Sequence, residues 1–262
     1  SLKGQGAMSS STGNTVGPIE ALELVPPEIL RLLIAKSKPN KAIEFDTGMG
    51  LVTLADEYER LAARDFENEL ASEELSRRQR VQFEDAAGAM RMASTVSGQE
   101  AHAAAVTFRH LALLAQTKKN DEDVWSSLQS SGAVDSVTSQ LQDRLNRMRH
   151  WIQSKHFPGE MKINILEQPN EQMLQRLDAE EKKILANMTA ALEACEWEAA
   201  AIGASIPQAA RDLDLSPRSA FKVAYAALMG TEKGPRLAPI LAEMEKVEII
   251  ELLHACLRCI PE

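Results

Sequence analysis

Aromatic side chains are scarce in this 262-residue sequence, at 4%. Its 13 glycines and 11 prolines make up about 9% of the chain, below the roughly 12% of average usage. With few breakers and with Ala, Leu, Glu, Arg and Gln recurring throughout, the chain is predicted to be all-α. Cysteine is also rare. The three, Cys195, Cys256 and Cys259, are an odd and sparse set, which excludes a disulfide framework and fits a reducing cytosol. No run approaches 18 apolar residues and the N-terminus carries no signal-peptide pattern, so the expectation is a soluble, cytoplasmic chain with no membrane partner. Positive charge is the minority sign: a formal charge of −9 excludes a uniformly basic nucleic-acid coat but leaves room for local basic faces. What is present in quantity is chain length, enough for one or two domains with a sizeable core.

Residues 1–18, rich in Gly, Ser, Thr and Asn, cannot bury enough surface to offset their ordering entropy and are expected to be a flexible loop. Pro26 and Pro27 ahead of Ile29, Leu30, Leu32, Leu33 and Ile34 predict a helix from Pro27 to Ser37. An extended crossover follows from Pro39 to Gly50. Leu51, Leu54, Tyr58 and Leu61 then lie on one helical face, predicting a helix that ends near Phe66, with Asp56 and Arg60 paired at i,i+4. Capping-box spacings at Ser97/Glu100 and Asp178/Glu181 mark helix starts, the first of a helix reaching Thr117. Asn120 or Asp121 caps the next, and a long helix runs from Val134 to Lys155 before Pro158 and Gly159. Ser216 with Pro217 opens another helix, and Gly230 fits a left-handed C-terminal cap. Eight to ten helices are expected; strand signals are poor, the best being Met161–Leu166, which fits one short extended piece.

The five histidines show no ligand spacing, and His254, Cys256 and Cys259 fall on one helix without a fourth ligand, so no metal site is expected. Between Asp56 and Glu74 eight acidic residues face Arg60 and Arg64, a local net of −6 that repels a phosphate backbone or is simply a solvated face. Two basic sets stand apart from it. Arg144, Arg147, Trp151 and Lys155 recur at three, four and four beside the apolar stripe Leu141, Leu145, Met148 and Ile152. Cations neutralise phosphates and an indole stacks on an unpaired base, so this face suits RNA loops unless Trp151 packs at the core margin. Arg31, Lys36, Lys38 and Lys41 form the second set, with no acid between them, open to phosphate contact or to ordinary solubility.

The string AMSSSTGN at Ala7–Asn14 resembles the Lys-Met-Ser-Lys-Ser signature loop of class I aminoacyl-tRNA synthetases. It is followed in order by PPEILRLLIAKSKPNKAIEFD (Pro26–Asp46) and DEYERL (Asp56–Leu61), which look like the region after that loop in class I lysyl-tRNA synthetases. RHWIQSKHFPGE (Arg149–Glu160) is similar to a lysyl-type segment, and FKVAYAALMGTEKGPRL (Phe221–Leu237) to the last helices of class I lysyl and glutamyl synthetases. The resemblance implies the C-terminal portion of an ATP-dependent lysine–tRNA ligase, which aminoacylates lysine tRNA through lysyl-adenylate.

On this reading the nucleotide-binding catalytic domain, with its His-x-Gly-His motif, is a missing partner of the same chain, and the fragment alone is inactive. By the same resemblance Met8, Ser9, Ser11, Gly13 and Asn14 belong to the ATP loop, although Ala7 and Ser10 stand where the pattern has lysines and leave Lys3 as a weak substitute. The implied organisation is a signature-loop remnant at 1–18, a stem-contact region at 19–72 and an α-helical anticodon-binding domain at 73–262, with the boundary near Leu70–Ser76. Lys36, Lys38 and Lys41 are assigned to the tRNA stem and Arg144, Arg147, Trp151 and Lys155 to the anticodon side, from the basic spacing and not from the family. Two other readings stay open: a glutamyl-type domain of the same fold, and an all-α protein-interaction module.

Overall fold

A proline in the first turn, a Ser, Thr or Asp cap and an apolar stripe every three or four residues recur along the chain, and each produces a helix. The computed structural model describes residues 17–94 and 106–260, apart from 39, 41, 42, 44 and 73. Among the described residues there are fourteen α-helices and no strand. They form two compact units: the described residues up to Ala115 with Asp121–Pro158, and Gln116–Asn120 with the residues from Gly159 onward.

The first unit holds α1 (Pro18–Leu24), α2 (Pro27–Lys36), α3 (Met49–Ala62), α4 (Phe66–Ala71), α5 (Arg77–Ser94), α6 (Phe108–Thr117, its last residues passing into the second unit), α7 (Asp121–Ser130) and α8 (Ser139–Gln153). The helix predicted to reach Phe66 stops at Ala62, because Asp65 caps a separate short helix by accepting from the Asn68 N–H. Arg64 bridges that helix to α5, its guanidinium lying over the rings of Phe66 and Phe83 at 4.9 and 4.3 Å. Arg31 of α2 donates to the Met92 carbonyl near the end of α5 at 2.9 and 2.6 Å. The packing of α5 along α2 places both sides of Leu70–Ser76 in the first compact unit, and the second takes in the residues from Gly159 onward. Thr138 caps α8 four residues inside the predicted start. Ser97 and Glu100 lie outside the described residues.

The second unit contains a 3-10 turn at Gly159–Met161, then α9 (Glu171–Leu174), α10 (Ala179–Ala194), α11 (Ala199–Arg211), α12 (Pro217–Met229), α13 (Leu237–Ala242) and α14 (Lys246–Arg258). Asp178 and Glu181 make the predicted capping box reciprocally, and Ser216 caps α12 ahead of Pro217. The segment after the 3-10 turn is extended without being a strand. It is held by the Gln116 amide, which donates to Met161 O at 3.2 Å and accepts from Ile163 N at 3.0 Å, and by the Leu166 N–H on Leu228 O at 2.8 Å. One core runs through α10, α11, α12 and α14, built on Ile184, Leu185, Met188, Ile206, Val223 and Leu253.

Gly230 ends α12 in the left-handed region at φ 63°, where a Cβ would stand 3.1 Å from the Asn170 amide nitrogen. Gly230→Ala is expected to cost about 1–2 kcal/mol, read as a lower midpoint in urea unfolding with an unchanged slope.

Candidate nucleic-acid interface

Helix α8 turns Leu141, Leu145 and Met148 inward as the periodicity predicts, and Trp151 goes with them. This corrects the assignment of Trp151 to an RNA-facing surface. Its side chain is fully buried, the indole N–H donates to Thr47 O at 2.8 Å, and the ring packs between Phe108 and Phe157 at centroid distances of 5.3 and 4.8 Å. No face of the indole is open to a base. The reason is angular: Trp151 lies three residues beyond Met148, close enough to the apolar stripe for a large ring to swing into the core.

Two of the three cations of that face are held in ion pairs. Arg144 donates to Glu28 of α2 at 2.9 Å with its side chain only 14% exposed. Arg147 is tied to Asp143 at 2.7 Å, one turn back. Lys155 is exposed and makes no ion pair among the described residues. In the other basic set Lys36 pairs with Glu57, Lys38 is exposed, and Lys41 lies outside the described residues.

The acidic stretch that supplies Glu57 is likewise spent on structure. Asp56 receives Arg109 at 2.8 Å in place of the predicted Arg60, which sits 3.9 Å from Glu57. Glu59 accepts the Phe108 N–H, and burial holds its carboxyl above the usual range although that hydrogen bond pulls the other way. Tyr58, beside the Glu28–Arg144 pair, has its phenol raised by burial and by Glu28, with Arg144 opposing.

A surface that the basic count overlooked lies on α12. Arg218, Phe221, Lys222 and Tyr225 fall at three, four and seven residues and share one face, opposite the buried Ala220, Val223, Ala224 and Ala227. Phe221 is 36% exposed. Lys222 is bound to Glu181 at 2.6 Å, and its ammonium is held above its ordinary value first by that hydrogen bond. The Tyr225 hydroxyl donates to the carbonyls of Gly234 and Pro235, 3.0 and 2.8 Å away, and burial raises its phenol above the ordinary value. The signal that could have found this face is the i, i+3, i+7 spacing of Arg218, Phe221 and Tyr225.

No group of three or more His, Cys, Asp or Glu that could hold a metal occurs among the described residues. Cys256 is buried, its thiol pushed up to about 11 first by that burial, and Cys259 caps α14. Met8, Ser9, Ser11, Gly13 and Asn14 lie outside the described residues. No described helix is long and apolar enough to cross a membrane.

Residues 104–257 match the family model of the anticodon binding domain. The chain belongs to the anticodon-binding domain family. Ahead of that match, residues 1–85 match the model of tRNA synthetases class I (K). Curated relatives of this anticodon-binding chain include the lysine–tRNA ligase of Thermoplasma acidophilum, 29% identical over 98% of this chain and 48% of the relative. The lysine–tRNA ligase of Thermococcus kodakarensis is 30% identical over 97% of this chain and 48% of its own length. That of Picrophilus torridus is 28% identical over 98% and 47%. The chain thus spans about half the length of the curated relatives it matches.

In this anticodon-binding chain Trp151 is a core residue, so its truncation should act on stability. Trp151→Ala is expected to lower the unfolding free energy by about 3–5 kcal/mol. Trp151→Phe, which keeps a ring but loses the bond to Thr47 O, should cost less; equal midpoints for wild type and Trp151→Ala in urea unfolding would overturn the placement.

Proposed function

We propose that this chain is the tRNA-reading portion of a class I lysine–tRNA ligase. The observation that carries the reading is the ordered pair of family matches, class I (K) synthetase over residues 1–85 and anticodon binding over 104–257, on a chain that aligns along 98% of its own length with 48% of a lysine–tRNA ligase. The whole ligase joins lysine to its tRNA at the expense of ATP, and this portion holds stem and anticodon so that the acceptor end is presented in a fixed place. Met8, Ser9, Ser11, Gly13 and Asn14 would meet ATP only together with the catalytic portion. Working in protein synthesis, the enzyme belongs in the cytoplasm.

Of the cations that the sequence assigns to tRNA, Lys38 and Lys155 are exposed and make no ion pair among the described residues, so phosphate contacts fall to them first, with Arg147 sharing its charge with Asp143. Lys36 and Arg144 reach RNA only by giving up Glu57 and Glu28. The relatives are named for lysine, which favours that specificity over the glutamyl alternative.

Titration of the chain with lysine tRNA and with an unrelated tRNA at several salt concentrations tests this reading. Tighter binding of lysine tRNA at every salt is expected, both affinities falling as salt rises. Equal binding, or none, would remove the recognition role. Reversing the charge of Lys38 and Lys155 together should lower both affinities by a similar factor and flatten the salt slope by about two phosphate contacts.

A further inference from the structure

The sequence contains six Phe, three Trp and two Tyr, and the fold consumes nearly all of them. Trp151, Phe108, Phe157 and Tyr58 are buried, Phe66 and Phe83 lie against Arg64, and Trp197 donates its indole N–H to Met244 O at 2.8 Å. Phe221 is the aromatic that remains exposed. The core side of α12 is already filled by alanines, Val223, Leu228 and Met229, so the ring is not a core residue left partly uncovered.

We infer that the Arg218–Phe221–Tyr225 face of α12, with Lys233 on the loop that Tyr225 anchors, is a platform on which an unpaired RNA base stacks. The inference rests on the proposed tRNA-reading function and names the surface that performs part of it.

The face is held ready. At its middle, Lys222 is bonded to Glu181, whose other carboxylate oxygen accepts the Asp178 N–H, so α12 is locked to the capped start of α10. At its far end the Tyr225 hydroxyl grips the carbonyls of Gly234 and Pro235, and Gly234 packs closely there, since a Cβ would lie 3.1 Å from the tyrosine ring. A platform fixed before contact loses little conformational freedom on binding.

Charge decides which part of RNA it takes. Lys222 is neutralised by Glu181, and Asp178 and Glu232 add negative potential beside it. Arg218 and Lys233 are exposed and make no ion pair among the described residues. A duplex, recognised through a continuous phosphate track, is poorly served by two cations separated by acids. A base turned out of a loop is well served: its π face meets Phe221, and its flanking phosphates meet Arg218 and Lys233.

The test uses the whole chain, a lysine tRNA transcript and a loop-free RNA duplex of similar length. Phe221→Ala and Phe221→Leu are expected to weaken tRNA binding roughly 5- to 100-fold while leaving duplex binding unchanged, and Phe221→Trp to restore it. The emission of the introduced indole should fall when tRNA, but not duplex, is added. Arg218→Gln should weaken tRNA binding and reduce its salt slope by about one phosphate. Thermal midpoints within error of wild type are expected for all four, since the ring is outside the core; if Phe221→Ala is less stable, the Leu and Trp pair decides. Wild-type affinity in Phe221→Leu overturns the platform, because an apolar contact then suffices, as does an unquenched indole in Phe221→Trp. Failure of the wild-type chain itself to prefer lysine tRNA removes the function on which the platform rests, a result separable from failure of the variants alone.

Discussion

The bond from the Trp151 indole to the Thr47 carbonyl is the constraint around which the first unit is arranged. It ties the last turn of α8 to the segment entering α3, while the ring packs against Phe108 at the start of α6 in a tilted contact and against Phe157 just past α8 in an edge-on one. Three stretches far apart in sequence, around Thr47, Phe108 and Trp151–Phe157, meet at one side chain. The neighbouring Thr47 hydroxyl is 2.9 Å from His156 Nδ1, so polar atoms around the ring are satisfied as well. A donor buried without such a partner would cost more than the bond contributes, which is why the backbone before α3 turns its carbonyl toward α8.

Once that residue is inside, the charges around it take on a different meaning. In the sequence, positive and negative residues form separate blocks, and the blocks look like opposed surfaces. Folding brings them together: Glu28 meets Arg144, Glu57 meets Lys36, Asp56 meets Arg109 and Glu69 meets Arg64. The more exposed of them, such as Asp56–Arg109, contribute little to stability, about 0–1 kcal/mol, yet all four remove their cations from the stock available to phosphates. A basic stretch in sequence thus overstates the basic surface whenever an acidic stretch of similar length belongs to the same unit.

Signals carried by the backbone were the most legible. Asp178 with Glu181, Ser216 with Pro217, and Gly230 each specify a conformation through atoms within four residues, and each occurs where its spacing placed it. Signals that depend on distant partners were less so. Nothing near Leu70–Ser76 shows that α5 returns along α2, because Arg31 finds the Met92 carbonyl 61 residues away. The side to which Trp151 turns depends on Phe108, Thr47 and Phe157, none of them within the helix that carries it. The α12 face was hidden for another reason: its cations are few and interleaved, so no count of charge along the chain selects it.

The stripe that runs along α8 and on to Lys155, and the face of α12, both combine arginine, lysine and a large aromatic, and they resolve that composition in opposite directions. In α8 the apolar stripe is narrow, the core beside it still has room for a ring, and Trp151 brings a donor that Thr47 can satisfy. In α12 seven buried residues from Ala220 to Met229 already fill the contact with α10, α11 and α14, so no space remains for Phe221. Packing at near-crystalline density leaves little room for an additional ring. Which aromatic reaches solvent is therefore set by how completely the rest of its helix has filled the core, and not by the basic residues that accompany it.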